Sequence, residues 1–206
     1  MKRVGVVADT HCPEFLDSLP ERVFEILRGV DLILHAGDVN EPSTLEALGK
    51  IAPVEAVHGD HDRLLPNLPA FRELTVEGKR IVVVHGERSH WVEEPQTLLW
   101  TLSLGYFRPH AGLGRILRRR FPDADAIVYG HTHRPRSETI DGTLLFNPGA
   151  VHQWNPTTAR RRLAQHPGWF EWCWLQVARY LRVYEAPTVG TLEVSEAGIV
   201  ASVVPL

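Results

Sequence analysis

Five short apolar runs in this chain each stop at a glycine, an aspartate or a histidine. Val4-Gly5-Val6-Val7-Ala8 leads into Asp9-Thr10-His11, and Leu32-Ile33-Leu34-His35-Ala36 leads into Gly37-Asp38. Val54-Glu55-Ala56-Val57-His58 leads into Gly59-Asp60-His61-Asp62, Ile81-Val82-Val83-Val84 into His85-Gly86, and Ala126-Ile127-Val128-Tyr129 into Gly130-His131-Thr132-His133. Runs of this length and composition predict buried strands. In α/β sheets, sites form beyond the carboxyl ends of strands. Five such ends carrying Asp or His therefore predict one site built from five loops. In an extended segment residues i and i+2 point the same way, which aims His131 and His133 together.

Between the first three runs the sequence reads as helix. Asp17-Ser18-Leu19-Pro20-Glu21 can open a helix reaching about Arg28, and Glu41-Pro42-Ser43-Thr44 a second with Leu45, Leu48 and Ile51 on one face. This β-α-β-α-β start predicts parallel strands. The pattern then changes to hairpins: 71–76 with 80–84, 137–140 with 143–146 across Asp141-Gly142, and 191–194 with 199–204. Parallel units mixed with hairpins predict an α/β fold of two mixed β-sheets packed face to face, with helices outside. We expect a single domain over residues 1–206 with two inserted, mostly helical segments at about 88–122 and 152–185, broken at Pro109 and Pro167. All six tryptophans fall in these segments, together with the runs Arg118-Arg119-Arg120 and Arg160-Arg161-Arg162. Such a tryptophan-rich stretch suits a core or a subunit contact, which makes a homo-oligomer an expectation. The arginine runs suit solvated helix faces.

A net charge of −3 gives no general pull toward nucleic acid or an anionic membrane, and no run of 18 apolar residues is present. Neither a membrane nor a stable nucleic-acid partner is expected. Two cysteines, Cys12 and Cys173, form no disulfide framework, and we expect reduced thiols and a cytoplasmic protein. Cys12 reads as a small residue that does not ligate.

Seven candidates remain at the strand ends: Asp9, His11, Asp38, Asp60, His85, His131 and His133. Mixed carboxylate and imidazole without thiolate suits a divalent transition metal, manganese first, with nickel, iron, zinc or cobalt as other fits, rather than calcium or a structural zinc. Seven ligands exceed one ion and suit two, about 3.5–4 Å apart, sharing a carboxylate. Such a pair serves in-line displacement at phosphorus. His35 and His58 lie within strands and read as structural.

In order, Asp9-x-His11, Gly37-Asp38, Gly59-Asp60-His61-Asp62, His85-Gly86 and Gly130-His131-x-His133 resemble the five motifs of the calcineurin-like metallophosphoesterases. Asn147-Pro148-Gly149-Ala150 and Pro187-Thr188-Val189-Gly190-Thr191-Leu192 resemble motifs of that superfamily's small bacterial and archaeal phosphodiesterase branch. The resemblance covers about 1–86, 123–151 and 187–204. It implies a four-layer α-β-β-α sandwich and hydrolysis of a small or nucleotide-like phosphoester by attack of a metal-bound hydroxide. A diester is favoured over a monoester. A non-catalytic scaffold of the same fold is the reading from another class.

The resemblance also implies roles. One metal takes Asp9, His11 and His133, the other Asp60, His85 and His131, and Asp38 bridges them. His61 faces the substrate, either stabilising phosphate charge or protonating the leaving oxygen, and Asp62 orients His61. Asn147 holds a loop under the site. Arg134 either reaches a phosphate or is an exposed residue after the motif. Two departures stand out: Asp60 replaces the family's usual asparagine, and His61 stands where the branch often has cysteine.

Overall fold

Alternation along the strands decides which faces are buried. A computed structural model describes residues 1–88, 90–104, 110, 112–180 and 185–206, which fall into two compact units. The first unit comprises Met1–Gly86, Gly112–His152 and Ala186–Leu206. It holds β1 (Lys2–Val7), α1 (Glu21–Leu27), β2 (Leu32–His35), α2 (Pro42–Gly49), β3 (Val54–Ala56), β4 (Phe71–Val76) and β5 (Lys79–Val84). After the second unit's first segment come α4 (Leu113–Arg120), β6 (Ala126–Tyr129), β7 (Arg136–Ile140), β8 (Thr143–Asn147), β9 (Thr188–Ser195) and β10 (Gly198–Pro205).

The strands form two five-stranded mixed sheets, ordered β10-β9-β1-β2-β3 and β4-β5-β6-β8-β7. β1, β2 and β3 are parallel, as are β5, β6 and β8. The three predicted hairpins are present, and Glu77-Gly78 and Asp141-Gly142 turn with positive φ, matching the twist of their strands. Val4, Val6, Leu34, Ile81, Val83, Ala126, Val128, Phe146 and Leu192 form one buried cluster between the sheets. On the outer face of the first sheet, Val7 and Ile33 pack with Val23 and Leu27 of α1 and Leu48 of α2. On the outer face of the second, Val82, Ile127 and Leu145 pack with Leu113 and Leu117 of α4. Residues one apart on a strand thus serve different layers, giving the expected α-β-β-α order. Parallel pairing sets Val7 beside His35 and Val84 beside Tyr129, so the motif loops leave each sheet side by side.

The second unit, Glu87–Ala111 with Gln153–Glu185, contains α3 (His90–Leu102), α5 (Pro156–Leu163) and α6 (Trp169–Ala178). Its core is Ala159, Leu175 and Ala178 with Trp100, Trp154, Leu163 and Trp174 packed on them. The Asn155 side chain accepts the amides of Thr157 and Thr158 and completes a capping box, worth about 1 kcal/mol. Trp91 and Trp169 are 79% and 77% exposed. Three tryptophans are therefore core residues and others face solvent.

The first inserted segment ends before its expected limit. It stops at Ala111 rather than 122, because α4 carries Leu113 and Leu117 four apart and Phe121 beyond, an apolar face that packs on the second sheet. Arg118 accordingly donates to the carbonyls of Pro122, Ile140 and Asp141. The second segment runs Gln153–Glu185, and the His152 amide just before it donates to the Asp9 carbonyl at 3.0 Å. Pro109 lies outside the described residues. Among the described residues no helix is long and apolar enough to cross a membrane.

Candidate metal centre

The site backbone is forced into an uncommon conformation. Asp9, His11, Asp38, His131 and His133 all hold positive φ, between 47° and 64°. Left-handed non-glycine residues of this kind cost about 1 kcal/mol or more each and persist where surrounding bonds over-determine them. The bonds are present: the Asp9 amide donates to the Gly37 carbonyl at 3.1 Å, the His11 amide to the Asp38 carbonyl at 3.1 Å, and the Gly130 amide to the His85 carbonyl at 3.0 Å. Close approach needs glycine at two places. A Cβ on Gly37 would meet His85 Nδ1 at 2.6 Å, and a Cβ on Gly59 would strike the Asp38 amide and carboxylate.

The seven predicted ligands come together in two groups. Ligand atoms of Asp9, His11 and His133 lie within 4.8 Å of one another, and so do those of Asp60, His85 and His131. In the first group His11 Nε2 faces His133 Nε2 at 3.4 Å, and His133 Nε2 lies 3.7 Å from Asp9 Oδ1. In the second His131 Nδ1 lies 3.4 Å from Asp60 Oδ2. Asp38 Oδ2 stands between, 3.4 Å from His11 Nε2 and 3.5 Å from His85 Nε2. Bonds from one sheet to the other fix this arrangement. His85 Nδ1–H donates to the Ala36 carbonyl at 2.8 Å, which fixes the tautomer and leaves Nε2 as a lone pair facing Asp38. The His131 amide donates to Asp9 Oδ1 at 3.1 Å.

Electrostatics fit a cation. Asp9 Oδ2 and His85 Nε2 are buried without a hydrogen-bond partner among the described residues, an expensive state for acceptors in a closed site. Burial pushes the Asp9 carboxyl up to about 7, with nearby Asp38 adding to the rise. Burial also drives His11 and His133 well below the usual imidazole range, which keeps both in the neutral, ligating form. For His85 burial acts downward, but the Asp38 and Asp9 carboxylates outweigh it and its value is raised. Buried carboxylate and imidazole acceptors converging on one place are what divalent ions require, so the residues present fit the metals that the motifs imply.

The neighbours of this group correct one expectation and add residues that the sequence did not reveal. Asp62 does not orient His61. Its buried carboxylate accepts the backbone amides of Asp38 at 3.0 Å, Asn40 at 2.7 Å and Gly59 at 2.7 Å, so it holds two motif loops together. A tight loop turns adjacent side chains apart, and the partner of the His61 ring is Glu14, whose Oε2 lies 3.0 Å from Nδ1. Asn147 does hold the loop beneath: its Nδ2 donates to the Gly130 carbonyl at 2.7 Å and to Thr132 Oγ1 at 3.1 Å. Arg134 is exposed, and its amide donates to Thr132 Oγ1. His35 is buried against Thr10 Oγ1, and Cys12 Sγ donates to the Thr10 carbonyl, both inside the scaffold. His152 was not foreseen. It is buried, its ring 4.9 Å from Phe15 and 5.7 Å from His11, and burial lowers it to about 4.

Comparison with known proteins places the chain in a family. The profile of the calcineurin-like phosphoesterase superfamily domain matches residues 1–164. A probable metallophosphoesterase of Methanothermobacter thermautotrophicus is 35% identical over 148 residues, covering 71% of this chain and 76% of that protein. Vacuolar Protein Sorting 29 of Cryptosporidium parvum superposes with a TM-score of 0.65 at 22% identity, over 100% of this chain and 91% of that one. A structure described as a novel archaeal phosphodiesterase gives a TM-score of 0.55 at 18% identity, over 98% and 99%. The solved structures speak to fold, while the profile and the sequence relative speak to descent. The chain belongs to the calcineurin-like metallophosphoesterase superfamily, alongside probable metallophosphoesterases of archaea and bacteria.

Proposed function

We propose that the chain is a phosphodiesterase that works with two divalent transition-metal ions on a small or nucleotide-like phosphoester. The observation that carries this reading is the position of Asp38 Oδ2, within 3.5 Å of a histidine from each of two separate ligand groups. Asp9, His11 and His133 would hold one ion, Asp60, His85 and His131 the other, and Asp38 both. Manganese is the first choice for this donor set, with nickel, iron, zinc or cobalt able to replace it. Bound, the ions supply Lewis acidity at the phosphoryl oxygens and a water acidic enough to deprotonate near neutral pH.

The chain's own residues supply the rest. His61, with its side chain 42% exposed, is free to meet a phosphoester at the edge of the group, where it either stabilises phosphate charge or delivers a proton to the leaving oxygen. Arg134 is a weaker phosphate contact in the same reading. Asp60 is likewise 42% exposed and adds a negative charge where the family usually has asparagine. A monoester dianion meets more repulsion there than a diester, which carries one charge less. Asp60→Asn is expected to raise the ratio of monoesterase to diesterase activity about fivefold, on the order of 1 kcal/mol of relieved repulsion. Matched nitrophenyl phosphate and phosphodiester substrates read the ratio, and an unchanged or lower one contradicts the diester preference.

The test of the whole reading is a turnover screen of phosphomonoesters, nucleotides and cyclic nucleotides. It uses metal-free protein refilled with Mn²⁺, Ni²⁺ or Zn²⁺. Diesters should be the best substrates. Metal uptake without turnover of any ester would favour a non-catalytic scaffold, against which stands the presence of all seven ligands. We further propose that the exposed tryptophans of the second unit, Trp91 and Trp169, support self-association. Light scattering of the wild type against Trp169→Ser checks this.

A further inference from the structure

The segment after His11 brings one carboxylate to the only titratable ring of the motif loops not assigned to a metal. Glu14 follows Cys12 and Pro13 in a turn closed by the Phe15 amide, which donates to the His11 carbonyl at 2.9 Å. Asn40 Nδ2 donates to Glu14 Oε2 at 2.6 Å, and the Asn40 amide donates to Asp62 Oδ1 at 2.7 Å. Cys12 and Asn40 are also paired as a parallel bridge. Glu14 is therefore tied to the Asp38 loop and, through Asp62, to the loop that carries His61. The same Oε2 lies 3.0 Å from His61 Nδ1, while the ring rests edge-on to His11 at 4.8 Å between centroids.

From this geometry, and resting on the phosphoesterase reading above, we propose that Glu14 is the positioning residue for His61: its carboxylate accepts Nδ1–H, fixes the ring plane, and leaves Nε2 for the substrate. A carboxylate on one imidazole nitrogen sets which nitrogen is available on the other side. Asn40 keeps the carboxylate from swinging away, so one side chain from each of two other loops sets the ring. This explains why Asp62, next in sequence to His61, is spent on backbone amides instead.

The full-length chain, with His61 ring nitrogens identified by their loss in His61→Ala, gives a readout that needs no turnover. At a pH where the imidazole is neutral, ¹⁵N shifts should report Nδ1–H in the wild type and a shift toward the Nε2–H form in Glu14→Ala. An unchanged tautomer overturns the proposal. In the manganese-loaded enzyme, Glu14→Ala should lower kcat about 10-fold on an ester with a poor leaving group and far less on a nitrophenyl ester, with KM within about twofold. Glu14→Gln, whose amide oxygen still accepts Nδ1–H, should recover most of that loss. Metal content should be unchanged in both variants. Equal loss on both esters accompanied by loss of metal would make Glu14 a ligand or a scaffold residue and overturn the positioning role. If the wild type hydrolyses no ester, the phosphoesterase reading falls, and the tautomer alone still decides whether Glu14 sets the ring.

Discussion

Asp38→Asn should lower turnover by about 10³-fold or more, the loss of roughly 4 kcal/mol of transition-state stabilisation. Asparagine keeps the volume and can keep the bond from the His61 amide, which donates to Asp38 Oδ1 at 2.9 Å. What it removes is the negative charge at Oδ2, the atom within 3.5 Å of both His11 and His85. In the two-ion reading proposed above each of the other six ligands holds one ion, so losing one of them should weaken that ion first, whereas this change should weaken both. Metal analysis should show fewer than two ions per chain at concentrations that fill the wild type, with circular dichroism unchanged. A variant that retains two ions and full turnover would remove the case for a shared carboxylate.

Asp62→Ala should be the most destabilising single change near the site, by about 4 kcal/mol. Three buried backbone amides, those of Asp38, Asn40 and Gly59, lose their acceptor at once. Hydrogen bonds to a charged group are worth about 1.5–3 kcal/mol each, and leaving a donor buried and unmade costs its desolvation as well. The terms overlap, so the sum is well below three separate bonds. For a chain of this size the melting temperature should fall by about 10 °C. His61→Ala is the control: its side chain is 42% exposed and its loss should cost about 1 kcal/mol or less while still impairing catalysis. Similar melting temperatures for the two variants would mean that Asp62 acts through His61 after all.

Most of the fold was legible because the local signals agreed. Glycines and turn pairs such as Asp141-Gly142 sat between runs of the right length, and those runs became strands in the expected pairings. The convergence of the seven candidate side chains was legible because each sits past the end of an apolar run, where strand pairing carries it to the carboxyl end of its sheet. Glu14 was not, since a single glutamate in a loop has no periodicity and its partner lies 47 residues away. His152 came from a similar blind spot, although its place just after Asn147-Pro148-Gly149-Ala150 was a usable hint. Asp62 was misread through sequence adjacency, which says nothing about direction once the chain turns. The end of the first inserted segment is hidden because the arginine run of α4 masks the apolar spacing of Leu113, Leu117 and Phe121.

The last hairpin has a bearing on how the molecule is made. β9 lies between β10 and β1, and Thr188 bonds to the carbonyls of Pro148 and Ala150. The first strand, which delivers Asp9 and His11, pairs with β2 on one side but lacks its other neighbour, β9, until residues 188–195 have been translated. A nascent chain leaving the ribosome amino end first carries its earliest ligands long before it can seat them. Metal capture should thus follow the synthesis of β9, and fragments halted before residue 188 should emerge from synthesis unable to retain it.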